Sequence, residues 1–211
     1  VDCLPPIDFV DRMLAELDDS VVGVQAIPLP TSTSRFVETF ASIDESWGYF
    51  LRYLWSNLQG ADFIGRACLF RADILQKFGL RDCLSEDLEL STRLLIKKYR
   101  IKYTTIFVPE DKPRSLKAFI KQRIRWGAGA LEVAKTHFKA LWSAVGISRT
   151  QKIAYATYML FPITFYPAFI FLIILLTFKK VFSWPGLGLW VYPLNYFIWC
   201  LFLSLRRRRA D

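Results

Sequence analysis

The sequence predicts an α/β domain joined to a membrane anchor, and three observations predict it. Strand-like apolar runs alternate with helical periodicity through the first 150 residues. Ile153–Phe178 and Val181–Leu205 then run 26 and 25 residues without a charge. Basic groups flank this apolar region, densely within Lys112–Lys152 before it and as Arg206–Arg209 after it.

The elements follow in order. Ile7–Leu17 spaces Phe9, Val10, Met13, Leu14 and Leu17 as an amphipathic helix does, and Asp18-Asp19-Ser20 ends it. Val21–Ile27 reads as a buried strand, Thr31–Ser34 as a polar turn and Phe36–Leu58 as a long aromatic helix. Phe63–Phe70 is strand-like, and Arg71–Phe78 a short helix stopped by Gly79. Ser85 is a suitable N-cap for a helix reaching about Lys98. Ile101–Val108 is β-branched and aromatic, hence a strand. Pro113 opens a helix that is expected to run to about Gly127, where Gly127-Ala128-Gly129 permits close packing or a bend.

Each uncharged stretch, at about 1.5 Å per residue, exceeds the roughly 30 Å hydrocarbon core of a bilayer. Lys179-Lys180 leaves only a tight connection between them. Pro162, Pro167, Pro185 and Pro193 are tolerable as kinks, and Trp184, Trp190 and Tyr192 suit an aromatic belt. Lys135, Lys139, Arg149 and Lys152 precede the first stretch and four arginines follow the second. The positive-inside rule therefore puts the soluble domain and the C-terminus together in the cytosol of a multi-pass protein of the cell membrane. The expected division is 1–111, an α/β domain; 112–152, amphipathic interfacial helices; and 153–211, a transmembrane pair with a basic tail.

The net charge of +9 is accounted for by a lipid surface. Nucleic acid is not an expected partner, because no zinc-ligand spacing, helix-turn-helix pattern or RNA-binding aromatic motif accompanies the charge. Cys3, Cys68, Cys83 and Cys200 form no C-x-x-C pair, and with the single His137 they make no metal cluster. They read as reduced, packed thiols. His137 reads as an interfacial residue. Gly186-x-Gly188 has no preceding strand and no Gly-x-Ser-x-Gly elbow occurs, so dinucleotide binding and serine hydrolysis lack support.

Two segments can carry chemistry. In Ser85-Glu86-Asp87-Leu88-Glu89 the plain reading is an acidic first turn that complements the helix dipole. The functional reading is a carboxylate at a helix start that acts as general base on a hydroxyl. In Gln122-Arg123-Ile124-Arg125-Trp126, the i, i+3, i+4 spacing puts Gln122, Arg125 and Trp126 within one arc of about 100°. Leu116, Phe119, Ile120, Ile124 and Leu131 occupy another arc. The plain reading here is an interfacial helix with snorkelling arginines.

Taken together, the two segments hold what an inverting sugar transfer requires. Asp87 is a base for an acceptor hydroxyl, Arg125 a planar cation for a departing diphosphate, and Trp126 a flat apolar face for a sugar ring.

Pro5…Asp8-Phe9, Phe63-Ile64-Gly65, Ser85-Glu86-Asp87 and Gln122-x-x-Arg125-Trp126, followed by paired spans, resemble family 2 glycosyltransferases. The resembling group is the processive one of cellulose, chitin and hyaluronan synthases. The resemblance implies the C-terminal part of a GT-A, Rossmann-like domain with its site in the cytosol. It implies Asp87, with Glu86 beside it, as the catalytic pair. It implies Gln122, Arg123, Arg125, Trp126, Phe63 and Gly65 as substrate-binding. Arg66 departs from the small polar residue that often follows the glycine. Asp2 matches the last aspartate of the family's D-x-D motif, which implies Mg²⁺ or Mn²⁺ as cofactor.

The implied activity is transfer from a nucleotide-sugar donor, a UDP-sugar, to a growing saccharide acceptor at a lipid membrane. Two other readings stand beside it: a non-processive transferase acting on a lipid or short acceptor, and a catalytically silent membrane anchor. The abrupt start at Val1-Asp2 also leads to the expectation of a missing nucleotide-binding portion, without which this piece alone would be inactive.

Overall fold

A computed structural model describes residues 3–31, 36–57 and 61–160. In chain order its elements are α1 (Phe9–Ala15), β1 (Gly23–Pro30), α2 (Phe36–Asn57), β2 (Cys68–Phe70), α3 (Ala72–Phe78), α4 (Glu86–Ile96), β3 (Ile101–Glu110) and α5 (Leu116–Ser143). Residues 149–160 are also helical.

The two apolar, β-branched runs pair as the centre of a sheet ordered β2-β1-β3. β1 and β3 are parallel, with Gly23 opposite Ile101, and β2 lies antiparallel on the other edge of β1. From Thr104 onward β3 alternates: Thr104, Ile106, Val108 and Glu110 point inward and Thr105, Phe107 and Pro109 outward. Its last inward residue is thus a carboxylate, buried at the strand's C-terminal end.

Met13, Val24, Ala26, Ile106 and Val108 form one core cluster. A second joins the sheet to α4 through Val22, Phe63, Leu90, Leu94 and Ile101. A third packs α4 on α5 and on helix 149–160, through Leu88, Leu95, Val133, Leu141, Tyr155 and Met159. Burying each leucine contributes about 1.5–3 kcal/mol, whereas an N-cap contributes about 1 kcal/mol. Packing therefore holds α4. Ser85 occupies the cap position, but its side chain makes no capping bond.

Several expectations need correction. The strand expected over Phe63–Phe70 is reduced to β2, because Gly65 and Ala67 have φ of 72° and 50°, a left-handed backbone that no strand accommodates. α5 starts at Ser115, whose hydroxyl accepts from the Ala118 N–H at 3.2 Å. The helix runs well beyond Gly127, and its glycines are interior. Two glycines there cost about 1 kcal/mol each in propensity, and the packing of Gly129 described below explains why at least that one is accepted. His137 is not interfacial: it is buried, with Nε2 2.8 Å from Glu89 Oε1.

Within the predicted apolar arc only Phe119 is buried; Leu116, Ile120 and Ile124 are exposed at successive turns of α5. Among the described residues no helix is long and apolar enough to cross a membrane. The two expected spans lie outside them, apart from 153–160, where Tyr155 and Met159 are buried against α4 and α5. Cys200 also lies outside; Cys68 and Cys83 are free thiols.

Candidate active site

Asp87 lies in the first turn of α4, half-buried, with Oδ1 accepting the Leu88 N–H at 2.8 Å. Burial pushes its carboxyl up to about 6, and the neighbouring Asp62 and Glu86 carboxylates add to the rise. The Leu88 N–H and the Arg52 guanidinium oppose it. Glu86, one residue earlier, is exposed.

The loop before β2 approaches Asp87 from the sheet side. The Phe63 N–H donates to Ser91 Oγ at 2.8 Å, and its ring lies 3.9 Å from that of Phe70. Phe63 is 1% exposed. It was expected to bind substrate; its ring is instead core, and its contribution is to fix the loop. Ile64 N–H donates to Gln25 Oε1 at 3.1 Å, which holds the next turn. Gly65 is exposed and lies against Asp87: a β-carbon there would stand 3.0 Å from Asp87 Oδ2.

Behind this loop Asp62 is buried and takes the Arg52 guanidinium, with Nε 3.1 Å from each carboxylate oxygen. Burial nevertheless raises the Asp62 carboxyl. The Arg52 guanidinium also stands 5.0 Å from the ring centre of Tyr158.

α5 comes in beside the start of α4 because Gly129 rests on Ser85. A β-carbon on Gly129 would be 2.1 Å from Ser85 Oγ and 3.0 Å from its backbone nitrogen. Two turns on, His137 reaches Glu89, which also takes Arg93 at 2.7 Å. α4 and α5 are thereby held together at both ends of their contact.

One turn before Gly129 stands Trp126, half-buried. The Arg123 guanidinium lies 4.3 Å from its ring centre and that of Arg66 5.8 Å. Arg123 was expected to bind substrate. It is buried and pairs with Asp44 at 2.8 Å and Glu45 at 3.1 Å, besides donating to Gln122 Oε1 at 2.9 Å. Its charge is committed inside the protein. Gln122 is half-buried, and Arg125 is exposed, with no ion pair among the described residues.

A buried ionic network, not foreseen from the sequence, supports this arrangement. Glu45 of α2 takes Lys112 at 2.6 Å, Arg66 at 2.9 Å and Arg123 at 3.1 Å, and accepts from the Tyr49 hydroxyl at 2.9 Å. Glu110, the last inward residue of β3, takes Lys112 at 2.5 Å and Arg66 at 2.6 Å. The Arg66 Nε contact with Glu110 is off the N–H axis, so it is an ion pair more than a hydrogen bond. Burial works to raise the Glu45 carboxyl, but Lys112, Arg66 and Arg123 outweigh it and hold it at about 2. For Glu110 and Asp44 burial wins, and both are raised. Asp44-Glu45 inside an aromatic helix was the available signal, because two adjacent acids there need buried partners.

The network sits at the C-terminal end of the parallel β3, the side of an open α/β sheet where ligands bind. Asp2 lies outside the described residues. Cys3, the residue after Asp2 in sequence, bridges to Glu110 at that same strand end. Among the described residues no three histidine, cysteine or acidic groups gather as metal ligands. They do not by themselves make a donor set for Mg²⁺ or Mn²⁺.

Residues 2–205 match a family model described as glycosyl transferase family group 2. The chain is also similar to the uncharacterized glycosyltransferase YaiP of Escherichia coli strain K12, with 30% identity over 151 residues. That alignment covers 68% of this chain and 37% of the relative. The chain therefore spans well under half the length of the relative it matches.

Proposed function

We propose, from the premise that this chain belongs to glycosyl transferase family group 2, that the protein transfers a sugar with inversion from a UDP-sugar to the end of a growing polysaccharide. The observation that carries this reading is the meeting of Asp87, Gly65, Arg66 and Trp126 in one continuous set of contacts.

The chemistry follows from these groups. Asp87 accepts the proton of the acceptor hydroxyl as its oxygen bonds to the anomeric carbon of the donor. The bond from that carbon to the diphosphate breaks on the opposite face, and the electron pair leaves with the diphosphate. A carboxyl near 6 is still mostly ionised at neutral pH and is a stronger base than an ordinary aspartate. Trp126 offers its face to the acceptor ring, and the exposed Arg125 is free to meet the diphosphate. Glu86 acts on Asp87 through its charge.

Asp2 remains the candidate ligand for Mg²⁺ or Mn²⁺, and none of the steps above depends on it. The uncharged stretches within 153–211 and their basic flanks support a membrane location with the site in the cytosol. The exposed Leu116, Ile120 and Ile124 on α5 suit an interfacial helix at that surface.

The test is sugar transfer by the full-length protein in vesicles, using a panel of UDP-sugars and scoring nucleotide release together with labelled product. Long water-soluble chains are expected. Label extracted into organic solvent would favour a lipid acceptor, and no release with any donor would leave only the silent-anchor reading.

A further inference from the structure

We propose that Arg66 is a positioning residue that fixes the Trp126 ring relative to Asp87 and thereby sets how tightly the saccharide acceptor is held. The inference rests on the transferase reading.

Arg66 follows Gly65 in the chain, and Gly65 is the residue in contact with the Asp87 carboxylate. Its guanidinium reaches the other way, to 5.8 Å from the Trp126 ring centre. Two consecutive residues thus span from the base to the aromatic platform. The guanidinium cannot swing freely, because Glu45 and Glu110 hold it from two elements and it also donates to the Tyr49 hydroxyl at 2.5 Å.

Glu45 at the same time holds Arg123, whose guanidinium lies 4.3 Å from the same ring. One buried carboxylate therefore fixes both cations that lie over Trp126. A cation within about 6 Å of an indole centre attracts the ring. An acceptor platform ordered in advance loses no rotamer freedom when the sugar stacks on it. Arginine suits the position where lysine does not, since a planar fork serves two carboxylates and a ring together.

The experiment uses the full-length protein and measures acceptor KM, melting temperature and the ratio of sugar transferred to sugar lost to water. Arg66→Lys keeps a cation for Glu45 and Glu110 but loses the planar contact with the ring. Its melting temperature should fall by no more than a few degrees while acceptor KM rises about tenfold and the transfer-to-water ratio falls. In a Trp126→Phe background the same change should shift KM by less than about twofold, because coupled residues are not additive.

A wild-type acceptor KM in Arg66→Lys, or an undiminished effect beside Trp126→Phe, overturns the proposal. Should Arg66→Lys fail to fold, Glu110→Gln loosens the same guanidinium, and an unchanged KM there overturns it equally. The transferase reading fails separately: in that case the full-length wild type itself releases no nucleotide and transfers no sugar from any UDP-sugar of the panel.

Discussion

Gly65 faces Asp87 so closely that a β-carbon would stand 3.0 Å from Oδ2, and its φ of +72° lies in the left-handed region. Both facts bear on the same substitution. Gly65→Ala meets backbone strain of about 1–2 kcal/mol and pushes on the carboxylate. A melting temperature lower by several degrees is expected. The larger effect should be on kcat, down by about 10- to 100-fold, since a small misplacement of a base costs that much. Steady-state kinetics beside a thermal melt separates the two.

Gly129 gives a contest with a definite sign. Alanine in the middle of α5 gains about 1 kcal/mol of helix propensity. Against that, a β-carbon would lie 2.1 Å from Ser85 Oγ and 3.0 Å from its main-chain nitrogen, and overpacking of this kind costs about 1–3 kcal/mol. Gly129→Ala should be net destabilising in denaturant unfolding. Adding Ser85→Ala should restore only part of the loss, because the backbone atom stays in the way.

Acidity should act on rate and stability differently. The proposed base role of Asp87 requires its ionised form, so kcat/KM should climb between about pH 5 and 7, around a group at about 6, and level above it. Its folded value is raised, so its contribution to stability is present below the ordinary carboxylate range and is lost as pH rises through about 6. Glu45 runs oppositely. Held at about 2, it stabilises above its ordinary value of 4.5, and that contribution, roughly 3 kcal/mol, is lost as pH falls toward 2. Unfolding midpoints measured across pH 2–7 check the second effect, and a rate profile the first.

Removing the charge of Glu45 should be costly. Glu45→Gln removes a buried carboxylate that Lys112, Arg66 and Arg123 share. Breaking a buried pair by removing one partner costs about 3–5 kcal/mol, and a thermal melt should show it. A surface exchange such as Glu132→Gln should shift the melt far less.

Much of this arrangement was legible in the sequence, and the exceptions share a cause. Local periodicity marked α2, α4 and β3 because each buries one face of a regular pattern. The motif around Asp87, Arg125 and Trp126 was visible because its residue types and spacing resemble those of a known family. Phe63–Ala67 read as a strand because its composition is apolar, and only the left-handed Gly65 and Ala67 break it. Gly129 looked like part of a helix end because its packing against Ser85, on another helix start far earlier in the chain, is invisible to local pattern. The Glu45 network joins α2, the loop before β2, the end of β3 and α5, and no local rule pairs residues so distant in the chain. His137 was misjudged for the same reason, since its partner Glu89 is on another helix.

The most direct measurement compares sugar transfer by full-length wild type and Asp87→Asn under the donor that gives product. The variant removes the proton acceptor, keeps the side-chain shape, and leaves both the Gly65 contact and the Leu88 N–H in place. Transfer should fall by at least about 100-fold, the low end of what a general base contributes, with the melting temperature unchanged or raised. Transfer at the wild-type rate by a folded Asp87→Asn protein would contradict the role of Asp87 as the base.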